Sequence, residues 1–507
     1  MDLHAGPLTV TYDSGTVRLF RIEDEEVLRM IYAGLRDADW NTASLVRTNE
    51  SITDHGDSFQ IRYDWQSIHS PIAMTGHLTI EGTVDGSLTV DFHGQAQADF
   101  YRNRIGLCML HPVEGLAGQP VWIEHPDGNT SEAVFPSLIS PTTPFLNIRG
   151  MRWQMASGQP FRLTYEGDVF ETEDQRNWTD ASYKTYSTPS ALPIPAFVPA
   201  GTIVTQRVRF ERLPQNLTGP ITPSTASYAL PRLGLGARAD GVPLTANEAD
   251  RLKACAIAHL RADVFFTNPD WTTGLMRASR DARLLGVPLE LALFFTDTPA
   301  ADAEALAAFV QAEQPAIWAM ALFEASHWRT TAALLDAVLT HLRTAFPKVL
   351  LGAGTDANFV EINQHRLSYD RVDFVTYSVN PQAHLTDSRT MLENTAAQAD
   401  TVATARVFSG GKPIHISPIT LNPRFNPVAQ DAAATLAGHP VPRVDPRHHT
   451  TFCAEWTARS LATLTRAGAA SVTYFETHGP RGLLDETTDF PVLQLFRQPA
   501  SAFNYPL

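Results

Sequence analysis

The chain has 507 residues, 44% hydrophobic and 18% charged, with a formal net charge of −15. That length exceeds what one core sustains, so two or more domains are expected, and the balance is globular, not disordered. An acidic surface repels phosphate backbones and anionic lipid, which argues against nucleic acid and membrane as partners and favours a small neutral substrate.

The three cysteines, Cys108, Cys255 and Cys453, are isolated and form no CxxC pair. This is the usage of a reducing compartment, with each thiol filling core space. No basic segment followed by an apolar run opens the chain, and no apolar stretch reaches the ~20 residues of a membrane span. A cytoplasmic location is expected. Oligomeric state leaves no readable signal.

Residues 1–225 read as strands. Apolar and polar residues alternate at 8–13, 17–22, 59–65, 77–84, 87–94, 161–170 and 204–213, with Gly, Asp and Asn between them. One short helix is expected over 25–36. Many alternating strands predict a large antiparallel β-sandwich. Pro-rich stretches at 188–201 and 213–225 mark an edge and a linker, because proline removes ladder donors and disfavours helix.

Over 226–507 the period changes. Apolar runs at 233–237, 262–267, 289–295, 316–323, 348–354, 372–378, 413–419 and 470–475 alternate with amphipathic helical stretches. Runs without alternation suit strands covered by helices on both faces. Eight such units predict a (β/α)8 barrel. The competing open doubly wound sheet loses ground because neither GxGxxG nor GxxxxGK[ST] follows any run. After the eighth run no good helical pattern remains, so the barrel is expected to lack its last helix.

In such a barrel the site lies at the C-terminal strand ends. The fourth run ends in Phe323-Glu324, followed by His327 and Trp328. The eighth ends in Phe475-Glu476, followed by His478 and Arg481. Other strand ends supply Asn358, Asn380 and His415. A carboxylate closing an apolar strand is partly desolvated, which favours its protonated form, and two across one mouth can divide acid and base roles. Glu324 and Glu476 are therefore the candidate catalytic pair. His327, Trp328, Asn358, Asn380, His415, His478 and Arg481 are candidate substrate contacts. The competing reading is that strand-end acids cap helices or pair with arginine at the rim.

No HxH or HExxH spacing occurs, and His448-His449 lack an acidic partner at ligand spacing, so no metal is expected. A G-x-S-x-G elbow is absent, and Ser417 reads as structural. In the sandwich, the segment EDQRNWTDASYKTY (173–186) is dense in functional side chains. Asn177 and Lys184 could bind hydroxyls and Trp178 could carry a sugar face; the alternative is a docking cluster of salt bridges and Asx turns.

Three segments carry a resemblance: FYRNRIGLCMLHP (100–112), EDQRNWTDASYKTY and YFETHGPRGL (474–483). With the sandwich-then-barrel order, they resemble the D-apionate lactonases of bacterial apiose breakdown. The resemblance implies hydrolysis of a sugar-derived lactone, D-apionolactone to D-apionate, without a cofactor. It also implies a small C-terminal β domain after the barrel, which is expected to be absent from these 507 residues. The barrel is similar to those of retaining glycosidases, whose carboxylates end strands four and seven; Glu476 ends the eighth. The glycosidase-like pair would be reused on the lactone carbonyl. A glycoside hydrolase acting on pentose-containing glycans is the alternative, and a non-catalytic carbohydrate-binding protein is a third reading.

Overall fold

The computed structural model describes residues 1–68, 70–213, 230–424 and 443–497. The linker expected over 213–225 lies, beyond Leu213, outside the described residues. Two compact units result. One comprises 1–175 and 181–213; the other comprises 176–180 with the described residues from 230 onward.

The first unit is two antiparallel sheets. One runs in the order Asp2–Ala5, Leu8–Asp13, Thr16–Ile22, Glu25–Asp37, Phe100–Pro112, Ser182–Tyr186, Phe170–Asp174, Phe145–Ile148. The other runs Thr130–Val134, Pro120–Glu124, Gly150–Gln154, Pro160–Glu166, Ile203–Arg212, Leu88–Ala96, Met74–Gly82, Phe59–Ile68, Ser44–Asp54. Period-2 alternation explains the packing. Phe59, Ile61, Tyr63 and Trp65 point inward from one strand while Arg62, Asp64 and Gln66 face out. Inward residues of both sheets form one core, including Phe20, Leu107, Trp153 and Phe210.

The helix expected over 25–36 is instead the strand Glu25–Asp37. It pairs along both edges, Val17 opposite Ile31 on one side and Tyr32 opposite Cys108 on the other. Two full ladders outweigh the helical propensity of its Glu, Leu, Arg and Met residues. The segment 173–186 is a strand, a 3-10 turn at Gln175–Trp178, and a second strand.

The second unit is a closed barrel of eight parallel strands: Arg232–Gly236, His259–Phe265, Leu289–Phe295, Ile317–Glu324, Leu350–Gly354, Phe374–Val379, Ile414–Ile419 and Ser471–Glu476. All eight apolar runs are strands. The uncovered eighth unit is corrected, since Pro491–Phe496 forms a short helix whose Phe496 ring lies 5.8 Å from that of Tyr474 on the last strand. The signal was weak because the helix is one and a half turns long and opens on proline, which fits the first helical position. No described helix is long and apolar enough to cross a membrane.

Candidate active site at the barrel mouth

The second barrel strand reads His-Leu-Arg-Ala-Asp-Val-Phe from His259 to Phe265. Alternation sends His259, Arg261 and Asp263 into the lumen. There His259 Nε2 lies 2.8 Å from Thr473 Oγ1, and Arg261 Nη1 donates to Ser417 Oγ at 3.1 Å. Above this layer two arginines and two aspartates close a ring. Arg261 donates from Nε to Asp263 Oδ1 at 2.9 Å and from Nη2 to Asp356 Oδ1 at 2.8 Å. Arg424 donates to Asp356 Oδ2 at 2.9 Å and also to Asp263 Oδ2.

The ring splits its two acids. Burial pushes Asp356 up to about 6, against the pull of Arg261 and Arg424 and with Asp263 adding to the rise. For Asp263, burial also opposes ionisation, but Arg424 and Arg261 outweigh it and hold the carboxyl below its usual range. Asp263 is thus the more readily ionised of the two, and Asp356 is the first to take up a proton on acidification.

Glu476 reaches the same place by a local kink. The ladder between the first and eighth strands slips, pairing Leu235 with Tyr474 and then Gly236 with Glu476. Phe475 takes the extra residue at φ 45°, a left-handed conformation unusual for a bulky side chain. Tyr474 points out of the barrel, its hydroxyl 2.8 Å from Ser460 Oγ on the helix Thr451–Ala467. The bulge lets Phe475 and Glu476 both line the mouth. Glu476 is raised by burial, while Arg481 pulls it down through Nε at 3.0 Å and Nη2 at 2.8 Å.

These groups line one cleft of about 730 Å³, open mouth included. Its walls carry Arg261, Asp263, Arg424, Glu476, Arg481 and Asp445, with Pro418 and Phe475 as apolar surface. The mixed polar and apolar lining suits a small polar ring. Chemically the cleft offers an acid biased toward its protonated form, an ionised carboxylate, and arginine donors for developing negative charge.

Glu324 lies elsewhere. Glu290, Ala292 and Phe294 share a face with Ala319, Ala321 and Phe323 by register, and this is the lumen face. Glu324 pairs with Phe295 on the opposite parity. It accepts from the Thr331 hydroxyl at the start of the helix Ala332–Ala345, and His327 Nδ1 lies 3.3 Å from its other oxygen. It lines a separate cleft with Asp297 and Leu334. The two glutamates are therefore not brought into one pocket.

The other expected contacts scatter. His327 is exposed, and Trp328 is buried in the apolar cluster with Phe265, Phe294 and Phe323. Asn380 Nδ2 donates to Asn358 Oδ1 at 3.0 Å, both buried at the ends of strands six and five. His415 is stacked 4.0 Å from the Phe374 ring and 5.3 Å from Trp318, deep in the lumen. His478 is buried with Nδ1 2.9 Å from Thr477 Oγ1 and does not line the cleft. Asn177 accepts from Asn363 at 2.9 Å, and Trp178 packs edge-on at 5.9 Å to His384. Lys184 pairs with Glu173 at 3.1 Å within its sheet. Arg481 alone of these joins Glu476 in the cleft. Among the described residues no group of three or more His, Cys, Asp or Glu is placed to hold a metal ion.

Arg261 and Asp263 were missed, although a signal existed. Every second residue of His259–Phe265 up to Asp263 is polar, which an all-apolar covered strand would not show.

Comparison with known proteins agrees with the two-part chain. A family model described as the N-terminal domain of D-apionate lactonase matches residues 1–214, and one described as its TIM barrel domain matches 233–503. A D-apionate lactonase of Brucella anthropi is 30% identical over 511 residues, covering 95% of this chain and 83% of its own. Solved structures similar in part include a β-arabinopyranosidase, 8% identical with a TM-score of 0.28 over 92% of this chain and 85% of that one. Another is a family 51 α-L-arabinofuranosidase from Bifidobacterium longum, 13% identical with a TM-score of 0.38 over 56% of this chain and 76% of that one.

Proposed function

The chain belongs to the D-apionate lactonase family, and from that premise we propose that it opens D-apionolactone to D-apionate in the cleft shared by Glu476 and Asp263. Its enzyme class, a lactone-opening hydrolase, follows from the family. The substrate and the residue roles are the proposal. One observation carries the roles: a carboxyl raised by burial and a carboxylate held ionised by two arginines line the same opening.

The chemistry balances with water as the only co-reactant. Water bonds to the lactone carbonyl carbon while Asp263 takes its proton. Arg481 and Arg424 face the oxyanion, where each well-placed donor is worth ~3 kcal/mol. The intermediate collapses by breaking the ring C–O bond, and Glu476 protonates the departing oxygen. The new carboxylic acid ionises, and protons exchange with solvent to restore both side chains. Glu476 keeps its place in the expected pair, here as the acid, and Asp263 replaces Glu324 as partner because Glu324 faces the helix layer.

The test is a pH-stat assay of acid release from D-apionolactone, other aldonolactones and aryl glycosides. The proposal expects lactone opening, strongest on D-apionolactone, and no glycoside cleavage. Glycoside cleavage without lactone opening would sink it.

A further inference from the structure

We infer that Glu290, on the third barrel strand, is a positioning residue for this reaction, acting through Ser417 on the Arg261 guanidinium; the inference rests on the role given to Asp263. Glu290 does not line the cleft. It is 2% exposed, one layer below the arginine–aspartate ring. Its Oε1 accepts from the Ser417 hydroxyl, and the same Ser417 oxygen accepts from Arg261 Nη1 at 3.1 Å.

The direction of these bonds matters. An ionised carboxylate only accepts, so Ser417 commits its single proton to Glu290 and must turn lone pairs toward Arg261. Arg261 is then held at three points: Nε by Asp263, Nη1 by Ser417 and Nη2 by Asp356. A planar guanidinium fixed at three nitrogens cannot slide along the strand, and Asp263 is fixed with it.

The surroundings keep Glu290 charged. Burial opposes ionisation, but the His259 and His415 rings and the Ser417 hydroxyl outweigh it and hold the carboxyl below its usual range. His259 Nε2 from the second strand and His415 Nδ1 from the seventh each stand 3.8 Å from Oε2. Arg232 of the first strand and Arg261 feel the same charge. Thr473 of the eighth strand, 3.0 Å from Ser417 Oγ, adds a neutral neighbour. Around the ring itself the facing charges are Arg261, Arg424, Asp263 and Asp356. Removing the Glu290 charge leaves both arginines to act on the two aspartates with less opposition, so the aspartates lose their protons at lower pH.

The experiment uses the full chain and the lactone assay, with kcat and KM followed from pH 2.5 to 9 for Glu290→Gln, Ser417→Ala, Ser417→Thr and Asp263→Asn. Glu290→Gln and Ser417→Ala are expected to lower kcat by ~10-fold or more with KM within about 3-fold, since neither side chain is a proposed substrate contact. Glu290→Gln should also move the acid limb of kcat to lower pH by about half a unit. Ser417→Thr keeps the hydroxyl and should recover most of the loss. Chemical denaturation of each variant separates these effects from unfolding. A kcat loss matched by the unfolded fraction, or an unmoved acid limb, overturns the inference. If Asp263→Asn abolishes turnover while Glu290→Gln behaves as wild type, this inference alone falls. If Asp263→Asn turns over normally, the role of Asp263 falls and takes the inference with it.

Discussion

Arg481 holds one oxygen of Glu476 with two nitrogens, Nε at 3.0 Å and Nη2 at 2.8 Å from Oε1. The pair sets two opposed effects on one proton. Burial raises Glu476, and Arg481 lowers it. Replacing Arg481 by Met removes the lowering influence, so Glu476 keeps its proton to higher pH. The alkaline limb of kcat should move upward, because that limb reports loss of the acid form. The same variant loses an oxyanion donor, so kcat at its optimum should fall by ~10- to 100-fold. A pH–rate profile checks both. An alkaline limb that stays put or moves down would remove Glu476 from the acid role.

Glu476→Gln and Glu324→Gln form a paired test of which strand-end glutamate does chemistry. Glu476→Gln removes the proton donor and should cut kcat by ~100-fold or more. Glu324→Gln should leave kcat within about 3-fold, since its carboxylate serves Thr331 and His327 outside the lumen. Its cost should appear in stability, on the order of 1 kcal/mol for weakened charge-assisted bonds. Steady-state kinetics beside urea unfolding distinguish the two outcomes. Equal kcat losses in both variants would contradict the geometry.

The contrast between these glutamates shows how far the sequence reaches. Both close an apolar run as Phe-Glu, and both strands were located correctly. Whether the terminal carboxylate enters the lumen depends on strand parity, which one inserted residue reverses. The bulge at Phe475 does this for Glu476, and Glu324 remains on the outer parity. Nothing in the local sequence around Phe475 announces a left-handed residue. Arg261 and Asp263 are different: their alternation is visible over His259–Asp263, but an apolar run that starts at Ala262 detaches Arg261 and hides the period. The strand at Glu25–Asp37 looked helical because its ladder partners, Thr16–Ile22 and Phe100–Pro112, are set by topology rather than by its own residues.

Gly236 makes the bulge possible. A Cβ built there would stand 2.9 Å from the Phe475 carbonyl oxygen, closer than real contacts allow and against backbone that cannot swing aside. Gly236→Ala should therefore push on the residue that aims Glu476. The expected result is a kcat loss of ~10-fold with smaller change in KM, because misplacing a proton donor by a fraction of an ångström costs rate before affinity. Kinetics on folded protein provide the check; wild-type kcat in this variant would mean the kink does not govern Glu476.

Stability should fall on mild acidification, and His111 offers a clean measure. It is fully buried in the first unit, with Nε2 2.9 Å from Thr185 Oγ1 and its ring edge-on to Trp153 at 5.4 Å. Burial lowers it from 6.5 to about 3, so it stays neutral in the fold where the unfolded chain would take up a proton. The folded value lies below the unfolded one, so the stabilising contribution is whole above pH 6.5 and declines as pH falls toward 3. Between pH 6.5 and 5 the decline is roughly 2 kcal/mol, at about 1.4 kcal/mol per unit. His259 and His448, each lowered to about 4, add in the same direction, while Asp356 and Asp281, raised to about 6, act against it. These other groups cancel when wild type is compared with His111→Gln, which cannot titrate. Urea unfolding of both at pH 7 and pH 5 should show wild type losing roughly 2 kcal/mol more than the variant. Parallel losses in the two proteins would show that this imidazole takes up its proton without unfolding.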